Sequence, residues 1–141
     1  MTGATDSAQD PTAEPSKQPT GAAARATDPD CLFCKIVAGQ IPATVVHEDE
    51  ATVAFRDLDP HAPTHVLVIP RHHVATAAGL AAERPEDAAA LLVAVAQVAA
   101  QEGVADTGYR TVFNTGADAQ QSVFHAHLHV LGGRAMAWPP G

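Results

Sequence analysis

Seven residues near the end of the chain alternate between apolar side chains and histidine, in the order Phe-His-Ala-His-Leu-His-Val over residues 124–130. Strict alternation predicts a β-strand, because successive side chains of a strand point to opposite faces of a sheet. His125, His127 and His129 are therefore expected to share one face, with neighbours about 6.5 Å apart along the strand. Three imidazoles in this arrangement can surround one phosphate group or one metal ion.

The chemistry of imidazole leaves three interpretations of this strand open. The histidines can be structural or solvent-facing, they can include a His-x-His pair that binds a metal ion, or they can transfer a phosphoryl or nucleotidyl group through a phosphohistidine intermediate. A neutral imidazole is both a nucleophile and a metal ligand, and a protonated one donates two hydrogen bonds. Because three of the eight histidines of the chain lie in this one segment, the two functional interpretations are favoured.

One long helix is predicted over residues 85–102. Pro85 suits the first turn, Glu86 and Asp87 suit the positive end of the helix dipole, and Gly103 suits the position after the last turn. Its buried stripe is expected to consist of residues at helical spacing, namely Leu91, Leu92, Val95, Val98 and Ala99.

Strands and a short helix are predicted for the rest of the domain. The strand segments are rich in β-branched or aromatic side chains and cover residues 44–48, 52–55, 65–69, 109–114 and 123–131. The short helix covers residues 31–37. Strands grouped around one long and one short helix predict an α+β domain with a mainly antiparallel sheet.

The first 30 residues differ in composition from the rest of the chain. Residues 1–30 contain no Leu, Ile, Val, Phe, Tyr or Trp, so they cannot bury enough apolar area to offset the entropy of ordering their backbone. We predict a disordered tail over residues 1–30 and one folded domain over residues 31–141. At about 110 residues, the domain has the commonest domain size.

Charge and hydropathy restrict the classes of partner. Lys and Arg total 8 against 16 Asp and Glu, for a formal net charge of −8, so no basic nucleic-acid-binding surface is expected. The sequence contains no run of about 18 apolar residues that would predict a transmembrane helix. Its first residues lack the basic and apolar regions of a secretory signal. We therefore predict a cytoplasmic protein that binds neither nucleic acid nor membrane.

Residues 125–131, His-Ala-His-Leu-His-Val-Leu, resemble the signature of the histidine triad (HIT) superfamily. Shorter segments resemble the Hint branch of that superfamily, namely Ile41-Pro42-Ala43, Phe55-Arg56-Asp57, Ala62-Pro63-Thr64-His65, Val68-Ile69-Pro70, Ser122-Val123, Gly132-Gly133-Arg134 and Trp138-Pro139-Pro140-Gly141. The resemblance covers residues 31–141. It implies a HIT-like fold, a homodimer, and a hydrolase that cleaves the P–N bond of adenosine or guanosine phosphoramidates.

The resemblance implies a catalytic role for five residues. His127 matches the nucleophile, which attacks the α-phosphorus and forms a nucleotidyl-histidine that water then hydrolyses. His129 matches the donor to the phosphate oxygens, and His125 and His65 match the residues that orient the nucleophile. Ser122 matches a hydroxyl near the leaving group, although without the resemblance a strand-edge hydroxyl bonded to nearby backbone is the better interpretation.

Further matching residues concern the nucleoside. Asp57 matches the carboxylate that accepts hydrogen bonds from both ribose hydroxyls, although an Asp before Leu58-Asp59-Pro60 taken alone indicates a turn. Asn114 matches a polar contact near the phosphate. Trp138, in a stiff Pro-containing terminus, matches a residue that reaches the partner's active site in Hint dimers. The slot for the base is matched by apolar residues that are individually typical of plain core: Leu32, Phe33, Ile36, Ile41, Phe55 and Leu58.

Cys31 and Cys34 form a Cys-x-x-Cys pair and are the only cysteines. One pair supplies two of the four ligands of a zinc site, so histidines would have to complete it. The resemblance to bacterial HIT proteins implies His73 and His125 as these ligands, and hence a structural Zn²⁺ that the chemistry itself does not require. The alternatives are a disulfide, which is rare inside cells, two inert buried thiols, or a redox pair, which needs a βαβ context.

Three positions depart from the Hint pattern. Ala119 and Gln120 stand where animal Hint proteins carry two glycines, and glycine adopts backbone conformations that Ala and Gln disfavour. Ala137 stands where some relatives have histidine. The shape of the loop and the preference for leaving groups are therefore expected to differ. The histidines that match no motif are interpreted as surface or loop residues: His47, His61 and His72.

Other functions are open to a chain with this pattern. A HIT enzyme that hydrolyses dinucleoside polyphosphates shares the triad, but the terminal Trp-Pro-Pro-Gly argues against it. A non-catalytic nucleotide-binding protein is disfavoured by the intact triad. A cupin-like metal oxygenase does not fit, because a long helix between strands is foreign to that all-β architecture.

Overall fold

The computed structural model of the protein describes residues 24–141, in which five strands pair into one antiparallel sheet. The strands are β1 (Val45–Glu48), β2 (Thr52–Arg56), β3 (Thr64–Pro70), β4 (Tyr109–Phe113) and β5 (Leu128–Gly132). Their order across the sheet is β1-β2-β3-β5-β4. The apolar run of β3 takes the central position, where all seven of its residues are buried. The predicted α+β class with a mainly antiparallel sheet is confirmed.

Three helices accompany the sheet: α1 (Leu32–Val37), α2 (Ala77–Glu83) and α3 (Pro85–Gln101). The short α1 and the long α3 are predicted from the sequence, but α2 is not, because its segment offers Leu80 as its only large apolar residue. The Thr76 hydroxyl caps α2 by accepting a hydrogen bond from the Gly79 N–H at 3.0 Å. Within residues 24–141, no helix is long and apolar enough to cross a membrane.

The buried stripe of α3 differs from the prediction at one position. Leu91, Val95, Val98 and Ala99 are buried as expected, but Leu92 is 62% exposed. Ala94 takes its place in the core. A step of one residue turns the helix by about 100°, so Leu92 lies beside the stripe that Leu91 begins.

The sheet separates two cores, and alternation along its strands assigns each residue to one of them. On one face, Ala54, Val66, Val68 and Val130 join the buried side chains of α2 and α3. On the other face, residues at the alternate positions pack around Phe33 of α1, namely Val53, Phe55, Leu67 and Ile69. The second core is the smaller one, since α1 has only six residues, and the face that carries it leaves room for a cleft.

β5 is shorter than the strand predicted over residues 123–131. Regular pairing with β3 and β4 begins at Leu128, and residues 123–125 bend before it. The Ala126 N–H leaves the ladder and donates to the Val74 carbonyl at 2.8 Å. Ala126, Leu128 and Val130 are buried against the helices as the alternation predicts, but Phe124 is 60% exposed, so its predicted place on the apolar face is wrong.

The predicted tail, residues 1–30, lies mostly outside the described residues, which begin at residue 24. Residues 24–30 are described, and they are hydrogen-bonded to the domain. The Ala26 N–H donates to His72 Nδ1 at 3.0 Å, and the Ala26 carbonyl accepts from the His73 N–H at 2.8 Å. Hydrogen bonds to the domain are therefore present before Cys31. Backbone bonds of this kind need no large apolar side chain, so composition does not reveal them.

Candidate active site

A cleft of about 380 Å³ opens on the α1 side of the sheet, within the size range of small-molecule sites. Its walls come from α1, from the loop after β2 and from the segment before β5. Most of its lining side chains are apolar, and its polar groups include His127, His129 and Asp57. This combination is typical of a site for a ligand with one apolar part and one polar part.

The structure brings most of the predicted site residues to this cleft. All six residues predicted for the base slot line it, and so do Asp57, Asn114, Ser122, His127 and His129. Leu58 lies at its rim, 97% exposed. Phe33 packs edge to face on Phe55 and on His127, with ring centroids 5.5 and 5.2 Å apart, so α1 places an aromatic wall beside the central histidine.

One ring nitrogen of His127 is already bonded to the backbone. His127 Nδ1 lies 2.8 Å from the carbonyl oxygen of His125. A carbonyl only accepts, so Nδ1 carries the proton of the neutral ring. Its Nε2 then keeps a free lone pair in the cleft, which is the form that a nucleophile or a metal ligand needs.

His129 contacts a second histidine on the neighbouring strand. In the register between β3 and β5, Leu67 pairs with His129. His65, two residues before Leu67 on the same strand, lies diagonally across from His129, and its Nε2 is 2.8 Å from His129 Nδ1. Burial, together with the nearby His127 and His65, lowers the pKa of His129 to about 4. Burial also lowers the pKa of His65. Both rings are therefore neutral at pH 7.

The side chain of His125 does not join the other two histidines in the cleft. It is fully buried, its Nε2 donates to the Pro70 carbonyl at 2.8 Å, and its Nδ1 faces the two cysteines. The prediction that three imidazoles surround one phosphate or one metal ion is therefore wrong. His125 lies in the bend that precedes β5, where strand alternation does not apply.

Cys31, Cys34, His73 and His125 form a compact cluster whose ligand atoms all lie within 4.8 Å of one another. Three sulfur-to-nitrogen distances, between a cysteine Sγ and a histidine Nδ1, are 3.5, 3.4 and 3.6 Å. The two Nδ1 atoms are 3.2 Å apart. A tetrahedral zinc with ordinary bond lengths sets these separations at about 3.5 Å and about 3.3 Å.

The surroundings of the cluster also fit a metal ion. The bond from His125 Nε2 to Pro70 leaves Nδ1 with the lone pair that a ligand needs. The Asp28 N–H donates to Cys34 Sγ at 3.4 Å, and the Asp28 carboxylate lies 3.9 Å from His73 Nε2. Burial raises the pKa of the Cys34 thiol, because it disfavours the charged thiolate. A bound cation would stabilise the thiolate and offset this effect. The four residues therefore fit Zn²⁺.

A second group of metal-ligand type, Asp57, His65 and His129, lies beside the cleft. Hydrogen bonds account for it. His65 Nδ1 accepts from the His61 N–H at 3.0 Å, and His65 Nε2 faces His129 at 2.8 Å and Asp57 Oδ2 at 3.4 Å. Neither nitrogen of His65 is left for a metal ion, so we interpret this group as a hydrogen-bonded chain.

The charge in the cleft comes from few groups. Among the described residues that line it, Arg56 is the only Lys or Arg, and its guanidinium is bound to both carboxylate oxygens of Glu102 at 2.8 and 3.0 Å. An anionic ligand would therefore meet the N–H groups of imidazoles rather than a free cation. Asp57 also uses one oxygen locally, since Oδ1 accepts from the Asp59 N–H at 2.8 Å, as the turn interpretation predicts.

Sequence reasoning missed Gln121, which fixes the loop before the triad. Its buried side-chain amide donates to the carbonyls of Ala75 and Val123 at 2.8 and 3.1 Å, and its Oε1 accepts from the Gly116 N–H at 3.0 Å. The neighbouring Gln120 lines the cleft with φ of +61°, a conformation that favours glycine. The glycines of the Hint pattern were the available signal for Gln120, but nothing in the sequence singles out Gln121.

Two further residues lie outside the cleft. Trp138, predicted to reach the active site of a partner chain, does not line the cleft of its own chain and is 80% exposed beside the guanidinium of Arg110. His72, interpreted as a surface or loop residue, lies in a loop but is buried, with Nδ1 bonded to Ala26 and Nε2 3.1 Å from Glu83. His47 and His61 lie at least partly open to solvent.

The fold and the site define an α+β protein with a histidine-lined cleft beside a Cys₂His₂ cluster, and known proteins are similar to this chain in sequence. The sequence model of the HIT domain matches residues 38–136. A 14 kDa zinc-binding protein of Zea mays is 48% identical over 128 residues, 89% of this chain and 99% of the relative. A purine nucleoside phosphoramidase of Escherichia coli is 39% identical over 107 residues, 76% of this chain and 90% of the relative.

Solved structures share the fold. A HIT family hydrolase from Legionella pneumophila superposes with a TM-score of 0.76 at 51% identity, over 79% of this chain and 100% of that chain. A Zn-bound histidine triad family protein from Mycobacterium smegmatis superposes with a TM-score of 0.65 at 35% identity, over 74% of this chain and 76% of that chain. The chain belongs to the HIT family, and it is a hydrolase of that family.

Proposed function

We propose that this protein is a purine nucleoside phosphoramidase of the Hint branch, which hydrolyses the P–N bond of AMP and GMP phosphoramidates through a nucleotidyl-histidine. The observation that carries the proposal is the bond from His127 Nδ1 to the His125 carbonyl, because it leaves the lone pair of Nε2 free in the cleft. The phosphoramidase from Escherichia coli, 39% identical to this chain, supports the same reaction.

The first step is displacement at phosphorus by His127. The lone pair of Nε2 forms a bond to the α-phosphorus, and the P–N bond of the substrate breaks. The amine nitrogen keeps the bonding electron pair, takes up a proton from solvent and leaves. In this proposal Ser122, which lines the cleft, hydrogen-bonds the departing nitrogen. The covalent route replaces one difficult displacement by two easier ones.

The second step is hydrolysis of the nucleotidyl-histidine. A water oxygen forms a bond to phosphorus and releases a proton to solvent. The bond from phosphorus to Nε2 breaks, and its electron pair returns to Nε2, so that His127 is regenerated. His129 and Asn114 hydrogen-bond the phosphate oxygens in both steps. Because His129 is neutral at pH 7, it stabilises the phosphate through an N–H dipole rather than a full charge.

The nucleoside occupies the rest of the cleft. The base packs between the apolar side chains on α1 and those around Phe55, where burial of its faces contributes binding energy. Asp57 accepts the ribose hydroxyls through Oδ2, since Oδ1 is engaged by the Asp59 N–H. This division of its two oxygens makes Asp57 both a turn residue and a binding residue.

Cys31, Cys34, His73 and His125 hold a structural Zn²⁺ in this proposal. When bound, the ion cross-links α1 to two segments distant in sequence and keeps the thiolates charged. The chemistry at phosphorus uses the imidazoles of the cleft. The zinc-binding relatives from Zea mays and Mycobacterium smegmatis support the assignment.

The proposal includes a homodimer in the cytoplasm. β4 is one of the two edge strands of the sheet. Its five residues pair only with β5 in the described part of the chain, so we infer that its other edge pairs with a second copy. The exposed Trp138 lies beside Arg110 of that same strand, so pairing would bring it toward the partner. Cys31 and Cys34 form no disulfide, in keeping with a cytoplasmic location.

Hydrolysis of a fluorogenic adenosine phosphoramidate tests the proposal. We expect turnover by the wild type and a loss of about 10³-fold or more in kcat for His127→Ala. The matched control is His47→Ala, which removes a half-buried histidine that bonds to Asp49 outside the cleft, and it should keep wild-type activity. Light scattering of the same samples should give twice the chain mass of 14.5 kDa.

Two results would overturn the proposal. If the zinc-loaded wild type cleaves diadenosine tetraphosphate but no phosphoramidate, the protein is a HIT hydrolase of dinucleoside polyphosphates. If it binds purine nucleotides but cleaves neither substrate, it acts as a nucleotide-binding protein.

A further inference from the structure

The loop between β2 and β3, residues 57–63, carries a donor that fixes proton positions in the cleft. The His61 N–H donates to His65 Nδ1 at 3.0 Å, so the neutral His65 ring must carry its proton on Nε2. That N–H points at His129 Nδ1 at 2.8 Å, which therefore accepts. His129 is left with its own proton on Nε2.

The position of that proton decides what His129 offers to a bound phosphate. With the proton on Nε2, the ring donates a hydrogen bond from the nitrogen that His65 does not occupy. The opposite tautomer would present a lone pair there, which repels phosphate oxygens. The His61 N–H thus determines, through His65, whether His129 offers the phosphate a hydrogen-bond donor or an acceptor.

The end of β5 holds this loop through two independent contacts. Arg134 Nε donates to the His61 carbonyl at 3.0 Å. Gly133 lies against Pro63, and a Cβ at residue 133 would come within 2.9 Å of the Pro63 Cβ. Its φ of +92° adds a second reason for glycine. The side chain of His61 is 69% exposed, so its backbone rather than its ring is the part in use.

We infer that Gly133 and Arg134 are positioning residues for the reaction: they hold the loop of residues 57–63 so that the His61 N–H fixes the tautomers of His65 and His129. The catalytic consequence rests on the proposed function, because only a phosphate in the cleft makes use of the His129 N–H. The tautomers themselves do not depend on it.

Nitrogen NMR of the full chain, labelled at histidine, tests the inference without substrate. The nitrogen shifts of a neutral imidazole separate the protonated from the unprotonated nitrogen. We expect His65 and His129 to carry their protons on Nε2 and His127 to carry its proton on Nδ1. A wild-type His129 with its proton on Nδ1 would overturn the inference, whatever the enzyme activity.

Variants then test the chain of contacts. His61→Pro removes the N–H donor, and His61→Ala keeps it and serves as the reference for the loss of the side chain. We expect the proline variant to shift His129 to a mixture of tautomers and to lose about 10- to 100-fold in kcat relative to the alanine variant, with KM within about twofold.

The clamp, by which we mean the contacts of Gly133 and Arg134 with the loop of residues 57–63, is tested by Arg134→Gln. Its matched control is Arg71→Gln, which also removes an arginine Nε bonded to a backbone carbonyl, that of Asp49 at 2.9 Å. We expect the tautomer mixture and the kcat loss in Arg134→Gln and not in Arg71→Gln. Unchanged tautomers in both variants would contradict the role of the clamp. A wild type with the expected tautomers but no phosphoramidase activity would instead refute the proposed function and leave the positioning inference standing.

Discussion

The carbonyl oxygen of His125 accepts a hydrogen bond from His127 Nδ1 at 2.8 Å, while the ring of the same His125 belongs to the Cys₂His₂ cluster. One residue therefore joins the two sites. Its side chain is held by the cluster and by the Pro70 carbonyl, and its backbone sets the tautomer of the central histidine. A change at the cluster is expected to reach the cleft through this residue.

Removing one cluster ligand should destabilise the protein and disturb the cleft. We expect His73→Ala to lose bound zinc, to melt at least about 5 °C lower than the wild type, and to show a lower kcat, because His125 loses its neighbour. Elemental analysis, calorimetry and the phosphoramidate assay measure the three effects. His61→Ala, which removes a side chain that is 69% exposed, should keep zinc and melting temperature. A wild type without zinc, with a melting temperature that His73→Ala leaves unchanged, would contradict the prediction.

Much of the fold could be predicted because its signals are local. The apolar run of β3 and the proline, acids and glycine around α3 mark these elements within a few residues of sequence. α2 could not be predicted in this way, because a stretch of alanines around Leu80 becomes a helix only when α3 and the sheet cover it.

The candidate site could be predicted only in part for a similar reason. Spacing placed three histidines on one face, but the bend before Leu128 turns His125 toward the cysteines. That turn depends on contacts with residues more than 50 positions away, such as the Pro70 carbonyl. The role of Gln121 depends on carbonyls of two other segments, and such partners carry no signal in the sequence.

Acid should weaken the folded state through His129. Its pKa is about 4 in the fold against an ordinary 6.5, so between these two pH values the unfolded chain binds the additional proton. The free energy of unfolding should therefore fall as the pH falls from 6.5 toward 4, with no contribution from this group above that range.

Urea titrations from pH 7 to pH 4.5 check this sign. The wild type should bind more protons on unfolding than His129→Asn does, by at most about one proton. His61→Asn, which removes an exposed histidine, should keep the wild-type pH dependence. Zinc release in acid occurs in all three proteins and cancels in the comparison. Equal pH dependence for the wild type and His129→Asn would contradict the pKa of the buried ring.

Asp57 should discriminate between ribose and deoxyribose. Beside its 3.4 Å contact with His65 Nε2, Oδ2 keeps a lone pair for the ribose hydroxyls. The wild type should therefore prefer a ribonucleoside phosphoramidate over its 2′-deoxy analogue by about 10-fold or more in kcat/KM. Asp57→Asn should lower the activity on the ribonucleoside and reduce that preference to about twofold. Asp59→Asn is the control, since its carboxylate is 91% exposed. A preference that survives in Asp57→Asn would assign ribose recognition to another group.

Gln120 should restrict the leaving group. Its side chain lines the cleft from a backbone with φ of +61°, where glycine is tolerated without strain. We expect Gln120→Gly to fold with little change in stability, because the relief of backbone strain, about 1 kcal/mol, is offset by the larger entropy of the unfolded chain. The wider cleft should raise kcat/KM for phosphoramidates of bulky aromatic amines relative to those of small alkyl amines.

The matched control is Ala119→Gly, one residue away and outside the lining of the cleft, which should leave the ratio between the two substrates unchanged. An equal ratio in the wild type and Gln120→Gly would mean that the leaving group departs along another wall.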